Sequence, residues 1–161
     1  MRLSHFASGL ALLLAACSPS AGEAGPAANQ ATAAVHPVSG LVIVPLTVTH
    51  GAVRHSFRVE VAGTPSDQAK GLMFRTALAP DEGMIFPMNP PRFASFWMRN
   101  TVIPLDLVFV GTDGRIINII ANAVPYNEAP LSSTGQVRGV LELSAGRVAQ
   151  LGIVPGDKVE W

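Results

Sequence analysis

The run Leu105–Val110 (LDLVFV) sets a carboxylate inside an otherwise apolar β segment, and this constrains the fold more than any other feature of the chain. Side chains alternate along a strand, so Leu105, Leu107 and Phe109 share one face, and Asp106, Val108 and Val110 share the other. A lone carboxylate on such a surface is costly to bury. Asp106 is therefore expected to hold at least one Arg or two backbone N–H groups, with Arg75 the first choice and Asn100 or Thr101 next. The preceding residues, Ala94–Arg99, read as a second short strand, with Phe96 and Met98 on one face and Trp97 and Arg99 on the other. Asn100 and Thr101 can bond their own backbone and turn the chain. Pro104 lacks a donor and belongs where a strand begins. Phe96–Val110 thus predicts a polar site set into a β core.

The rest of the chain is punctuated in the same way. Leu41–Thr49 is β-rich, and Pro45 confines it to an edge or splits it. His55–Ala62 alternates, with Phe57, Val59 and Val61 facing one way and Ser56, Arg58 and Glu60 the other, as in a half-buried strand. Thr64-Pro65-Ser66-Asp67 carries a cap residue, a proline at the first position and an acid in the first turn, predicting a helix from Pro65 to about Met73. Met84–Met88 reads as a short strand. Gly111–Gly114 is a hairpin turn. Arg115–Ala123 is the longest β-branched run, expected to be covered on both faces. Val124–Gly135 is a long polar loop, Gln136–Leu143 a strand, Ser144–Gly152 a short helix, and Ile153–Trp161 a turn and final strand. The 13 prolines and 15 glycines favour short elements. Seven or eight strands at roughly ten-residue spacing predict a mostly β fold, a compact antiparallel sandwich or barrel with two short helices.

The N-terminus points to export. Arg2 and His5 precede an apolar stretch, Phe6–Ala16, that is too short for a permanent bilayer span. It ends in Leu14-Ala-Ala-Cys17, which resembles the lipobox of bacterial lipoproteins. That resemblance implies cleavage before Cys17 and lipidation of its thiol and new amine. Cys17 is the single cysteine, so the mature domain has no disulfide, thiol nucleophile or thiolate metal site. Residues 17–40 are rich in Ala, Pro, Ser and Gly and read as a disordered tether, with a reach of roughly 25–30 Å. The expected organisation is a signal peptide over 1–16, a tether over 17–40 and one β-rich domain over 41–161. The protein would be lipid-anchored to the cell envelope, facing the periplasm where the source has an outer membrane.

Several segments, in order, resemble the bacterial and archaeal domain-of-unknown-function 192 family. They are Phe57–Ala62 (FRVEVA), Gln68–Arg75 (QAKGLMFR), Asp81–Phe86 (DEGMIF), Phe96–Val110, Asp113–Ile116 (DGRI), Val140–Gly146 (VLELSAG) and Gly156-Asp157. The resemblance covers essentially the whole mature domain and departs from the family pattern at Val124–Gly135. It implies a β-rich fold with short helices and gives motif positions, Arg75, Asn100, Asp106 and Glu142 among them, but no reaction.

The candidate site residues are Arg75, Trp97, Asn100, Thr101, Asp106 and Glu142. Arg75, Asp106 and Glu142 are ionisable groups in apolar contexts, open to three readings. They form a buried ion-pair network, with Arg75–Asp106 as its core. They line a polar cleft for a small ligand, with Trp97 as a stacking wall. Or Asp106 and Glu142 act as an acid/base pair on an envelope glycan, which needs a defined carboxyl separation. His50 and His55 flank one turn and lack companion ligands for a metal. Met73, Met84, Met88 and Met98 suit Cu(I) chemically but equally serve as core fillers. No G-x-S-x-G, phosphate loop or dinucleotide motif is present. The 11 basic residues are matched by 11 acidic ones, and no basic run suggests nucleic acid. The expectation is a monomeric, cofactor-free envelope domain that, without catalysis, binds a small ligand or serves envelope maintenance. The alternatives are the glycan enzyme and a structural interaction module.

Overall fold

The computed structural model of the chain describes residues 34–161; the expected signal peptide, Cys17 and most of the tether lie outside them. Alternating apolar residues build a hairpin of β1 (Ile43–His50) and β2 (Val53–Val61), turned at Gly51. Thr64 caps α1 (Pro65–Lys70), its hydroxyl accepting from the Asp67 N–H at 3.1 Å while the Asp67 carboxylate accepts from the Thr64 N–H at 3.1 Å. This reciprocal box satisfies donors that the first turn leaves open. The helix stops at Gly71 (φ 47°), short of the expected Met73. α1 carries the crossover that lets β3 (Glu82–Arg92) pair parallel with β2, a connection no tight turn can make.

β4 (Ser95–Phe96) is only two residues long, where a strand over Ala94–Arg99 is expected. It pairs with β7 (Leu131–Ser132) in a small separate sheet, so the long loop contains a strand of its own. β5 (Leu105–Gly111), β6 (Ile116–Ala123) and β8 (Val137–Ser144) join the main sheet; α2 (Arg147–Leu151) and β9 (Lys158–Glu160) complete the chain. The main sheet runs β6-β5-β8-β3-β2-β1-β9. The fold is mostly β with two short helices, as the sequence predicts. The sheet itself is mixed rather than antiparallel throughout, because of β2–β3. It is not closed: its outer strands meet through one isolated bridge between Arg115 and Lys158.

Strand position explains burial. β5 lies between β6 and β8 and is buried at every residue. β6, expected to be covered on both faces, is an edge strand and largely half-buried. Pro45 pairs with Arg58 on β2, while β9 reaches β1 only at Thr47–Thr49, so the missing proline donor faces no outer strand.

The sheet has two apolar faces. One carries Leu46, Val48, Phe57, Val59, Ile85, Val108, Leu141 and Leu143, with Val148 of α2 packed on it. The other carries Met84, Phe86, Leu105, Leu107, Phe109 and Val140, covered by Leu72, Ala94 and Met98. Met84 and Met98 are thus core residues.

The tether expectation fails at its last residues. Val35 bridges to Val42, and Ile43 N–H donates to Ala34 O at 2.7 Å. Residues 34–40 lie on the domain because His36 and Ser39 find partners there, which composition alone does not reveal.

Candidate functional site

Three carboxylates are buried in the sheet, and each is treated differently. Asp106 is fully buried on the Val108 and Leu143 face. Its Oδ1 accepts from the Asn122 N–H at 2.9 Å, and its Oδ2 accepts from the Val148 N–H at 3.0 Å. Asn122 sits at φ 54°. Val148 is in the first turn of α2, whose own cap residue, Gly146, offers no side chain. Asp106 therefore caps α2 from a neighbouring strand. The expected pair of backbone donors is present. Arg75 is not the partner, and neither Asn100 nor Thr101 bonds the carboxylate.

Arg75 instead binds Glu60, which alternation had placed on the polar side of β2. Arg75 Nη2 lies 2.8 Å from Glu60 Oε1 and 2.7 Å from Oε2. Ser39 donates a hydrogen bond to the same carboxylate. The His36 ring nitrogens lie 3.3 and 3.4 Å from the guanidinium nitrogens, and Nδ1 lies 3.7 Å from Glu60 Oε1. All three charged or polar partners are mostly buried, at 3% exposure for Glu60, 12% for Arg75 and 13% for His36. This clasp pins residues 34–40 and the segment after α1 to β2. The alternating pattern shows that Glu60 points away from Val59; it does not show that other segments cover it.

Glu142 has no such partner. It lies on β8 between Met84 of β3 and Leu107 of β5 and is 5% exposed. Burial alone pushes its carboxyl up to about 8, because the charged form is deprived of water. Among the described residues, Thr49 Oγ1 is the sole fully enclosed polar side-chain atom lacking a hydrogen bond. The unpaired Glu142 oxygens therefore reach open space. That space is a cleft of about 590 Å³, within the range of small-molecule sites.

The cleft is built from the central motifs. Gly71–Met73, after α1, form one wall. Asn100 holds this segment: its carbonyl accepts from the Phe74 N–H at 2.9 Å, and its amide lies 3.8 Å from Met73 Sδ. Phe93–Trp97 form the opposite wall, and Phe86, Met88 and Glu142 line the sheet side. Phe86 and Phe96 meet edge to face with centroids 5.0 Å apart. Trp97 stands at the rim, 48% exposed. Arg99 covers its ring at 4.6 Å and is paired with Glu128 at 3.1 Å. Buried Thr101 also lines the cleft, its hydroxyl donating to Arg99 O at 3.3 Å.

Of the residues singled out from sequence, Glu142, Trp97 and Thr101 meet at the cleft, and Asn100 supports its wall. Arg75 and Asp106 do not belong to it. Asp106 pairs in register with Leu143, and Glu142 with Leu107, so the two carboxylates point to opposite faces of the sheet. They cannot flank one glycosidic bond, so the expected acid/base pair does not form. His50 Nδ1 lies 2.8 Å from Asp157 Oδ1, where it tethers the turn before β9. Among the described residues, no group of three or more His, Cys, Asp or Glu is placed to hold a metal.

The family model DUF192, described as Uncharacterized ACR, matches residues 46–161. The chain belongs to this family. Relatives of known structure share the DUF192 fold. A protein of unknown function from Novosphingobium aromaticivorans DSM 12444 is 64% identical, with a TM-score of 0.79, over 82% of this chain and 94% of that one. A Sinorhizobium meliloti 1021 protein, provisionally named a transcription regulator, is 41% identical, with a TM-score of 0.73, over 74% of this chain and 94% of that one. No curated protein matches the chain.

Proposed function

We propose that this DUF192 domain binds a small ligand in the Glu142 cleft without transforming it, and that it does so while anchored to the cell envelope through Cys17. One observation carries the binding reading: a buried carboxyl without a protein partner opens onto a cleft of about 590 Å³ whose lining is more apolar than polar. A folded domain leaves such a group bare at a cost unless something else engages it. The enzyme alternative loses its second carboxylate, because Asp106 is committed to α2 on the other face. The regulator name of the Sinorhizobium protein is not carried over, since the sequence, with 11 basic and 11 acidic residues, contains no basic run of the kind that binds DNA.

A thermal-shift screen of small molecules on the full chain tests binding, because a ligand that binds only the folded state raises its melting temperature. Hits that need the carboxyl should lose their effect in Glu142→Leu; if every hit persists there, the Glu142 carboxyl plays no part in binding. The anchor rests on the Leu14-Ala-Ala-Cys17 sequence. Cys17→Ser should leave the precursor uncleaved or release the protein from membranes. A processed variant that stays wholly membrane-bound after a carbonate wash would overturn it.

A further inference from the structure

We infer that the cleft receives an organic ammonium: an apolar or aromatic body carrying one protonated amine, whose charge Glu142 meets as a carboxylate. This rests on the cleft reading and names its ligand class.

The other carboxylates buried in the sheet are each given partners by the fold. Glu60 receives a guanidinium and a hydroxyl, and Asp106 receives two backbone N–H groups. Glu142 receives neither kind of partner, although it is as buried as Glu60. Its neighbours across the strands are Met84 and Leu107, which have nothing to donate. A cation that meets its charged form therefore has to come from the cleft.

The surroundings select among donors. Phe86 and Phe96 stand edge to face beside the sheet, and Leu72 and Met88 complete an apolar lining. Aromatic faces attract cations, and an apolar wall favours a hydrocarbon body. Trp97 is already covered by Arg99, so it bounds the cleft while Glu142 supplies the charge. The other charged lining residues are Lys70 on α1, Arg92 on β3 and Glu128 in the loop between β6 and β7; all three are exposed. Arg92 is turned to Gln68 Oε1 at 3.1 Å, and Glu128 to Arg99. An anionic ligand would find its cations at the mouth and a carboxyl at the base, the reverse of what it needs.

Benzylamine, benzyl alcohol and benzoate are probes of similar shape that separate the classes. The full chain is titrated with each by calorimetry at pH 7. Benzylamine is expected to bind most tightly. Because Glu142 is protonated in the empty cleft at this pH, binding should release close to one proton, seen as heats that differ between phosphate and Tris. Glu142→Gln should weaken benzylamine by about 30-fold or more, as expected when one partner of a desolvated charge pair is removed, and leave benzyl alcohol nearly unchanged. This variant removes a buried ionisable group, so loss of folding does not obscure the result. Equal binding of amine and alcohol would overturn the ammonium and leave the cleft reading standing. A preference for benzoate would do the same. Binding of none of the three overturns both.

Discussion

Glu60 and Glu142 stand in one row across the sheet, on either side of Met84. Strand spacing puts their backbones about 10 Å apart. Both point to the same face, and both are buried, at 3% and 5% exposure. One is gripped by Arg75, Ser39 and the neighbouring His36; the other touches no protein donor. The residue type and the sheet are the same, so the difference lies in what covers each position. Residues 36–41 and the chain after α1 close over Glu60. Over Glu142 the same face is left open between Gly71–Met73 and Phe93–Trp97. Glu60 is tied into the fold through Arg75, and Glu142 faces the open cleft.

The largest effect that would break this contrast belongs to Glu142. Its folded-state carboxyl is raised from 4.5 to about 8. Between those values the folded chain binds more protons than the unfolded chain, so this group makes stability fall as pH rises through the window. Below 4.5 both states are protonated and the group is neutral in effect. Above about 8 both are ionised and the whole penalty is present. Glu142→Gln should therefore match the parent near pH 4 and exceed it at pH 9 by about 4–5 kcal/mol, as a shift of this size implies. Denaturant unfolding across that range checks it. Parallel profiles for the two proteins would mean that Glu142 has a partner in solution.

Next in size is the opposite substitution in the row. Glu60→Gln leaves Arg75 buried without its counter-charge, a loss of about 3 kcal/mol or more for a broken buried pair. The pair of variants should thus move in opposite directions at pH 9. If Glu60→Gln were neutral, the clasp would be incidental and the contrast empty.

Asp106 sharpens the comparison from the other face. Asp106→Asn keeps one acceptor oxygen but presents an amide N–H to one of the two backbone N–H groups. A destabilisation of about 2–3 kcal/mol is expected from the lost charge-assisted bond and the orphaned donor. Amide exchange should locate it: Val148 and Asn122 lose protection ahead of the rest of the sheet. A uniform loss would deny Asp106 its role as the cap of α2.

These three carboxylates also mark how far the sequence could be read. The period-2 pattern assigns Glu60 and Asp106 to faces, and the apolar neighbours of Asp106 and Glu142 mark both as ionisable groups in apolar contexts, open to a buried network or a cleft. The need for two backbone donors on Asp106 followed from the cost of burying charge. The identity of the partners did not follow, because it depends on strand order. Only the crossover through α1 sets β3 parallel beside β2, and only then does the chain after α1 carry Arg75 to Glu60. Glu60 was missed for the same reason: Ser56 and Arg58, on its side of β2, are exposed, and nothing local says that distant residues cover Glu60. Arg75, a cation in an apolar segment, signals that a buried acid is needed, but the sequence offers Asp106 as readily as Glu60, and only strand order decides between them. The mostly β class was legible from turn spacing. The edge position of β6 was not, because a β-branched run is equally at home at an edge beside one strong neighbour.

The smallest effect concerns residues 34–40, which the composition assigns to the tether and which are placed against the domain. Their hold on it is local: the Ala34–Ile43 backbone bond, the Ser39 bond to Glu60, and His36 against Arg75. Such contacts are worth about 1–2 kcal/mol together once the ordering of the segment is set against them. A chain beginning at Leu41 should therefore melt a few degrees below one beginning at Ala34. It should also do so without changing binding at the Glu142 cleft, to which residues 34–40 contribute no lining. The two readouts test separability directly. Equal melting temperatures would return these residues to the tether and leave Glu60 to Arg75 alone. A weakened cleft would show that the clasp and the open carboxyl are coupled through Met84 and the segment after α1, so that the two ends of the row behave as one site.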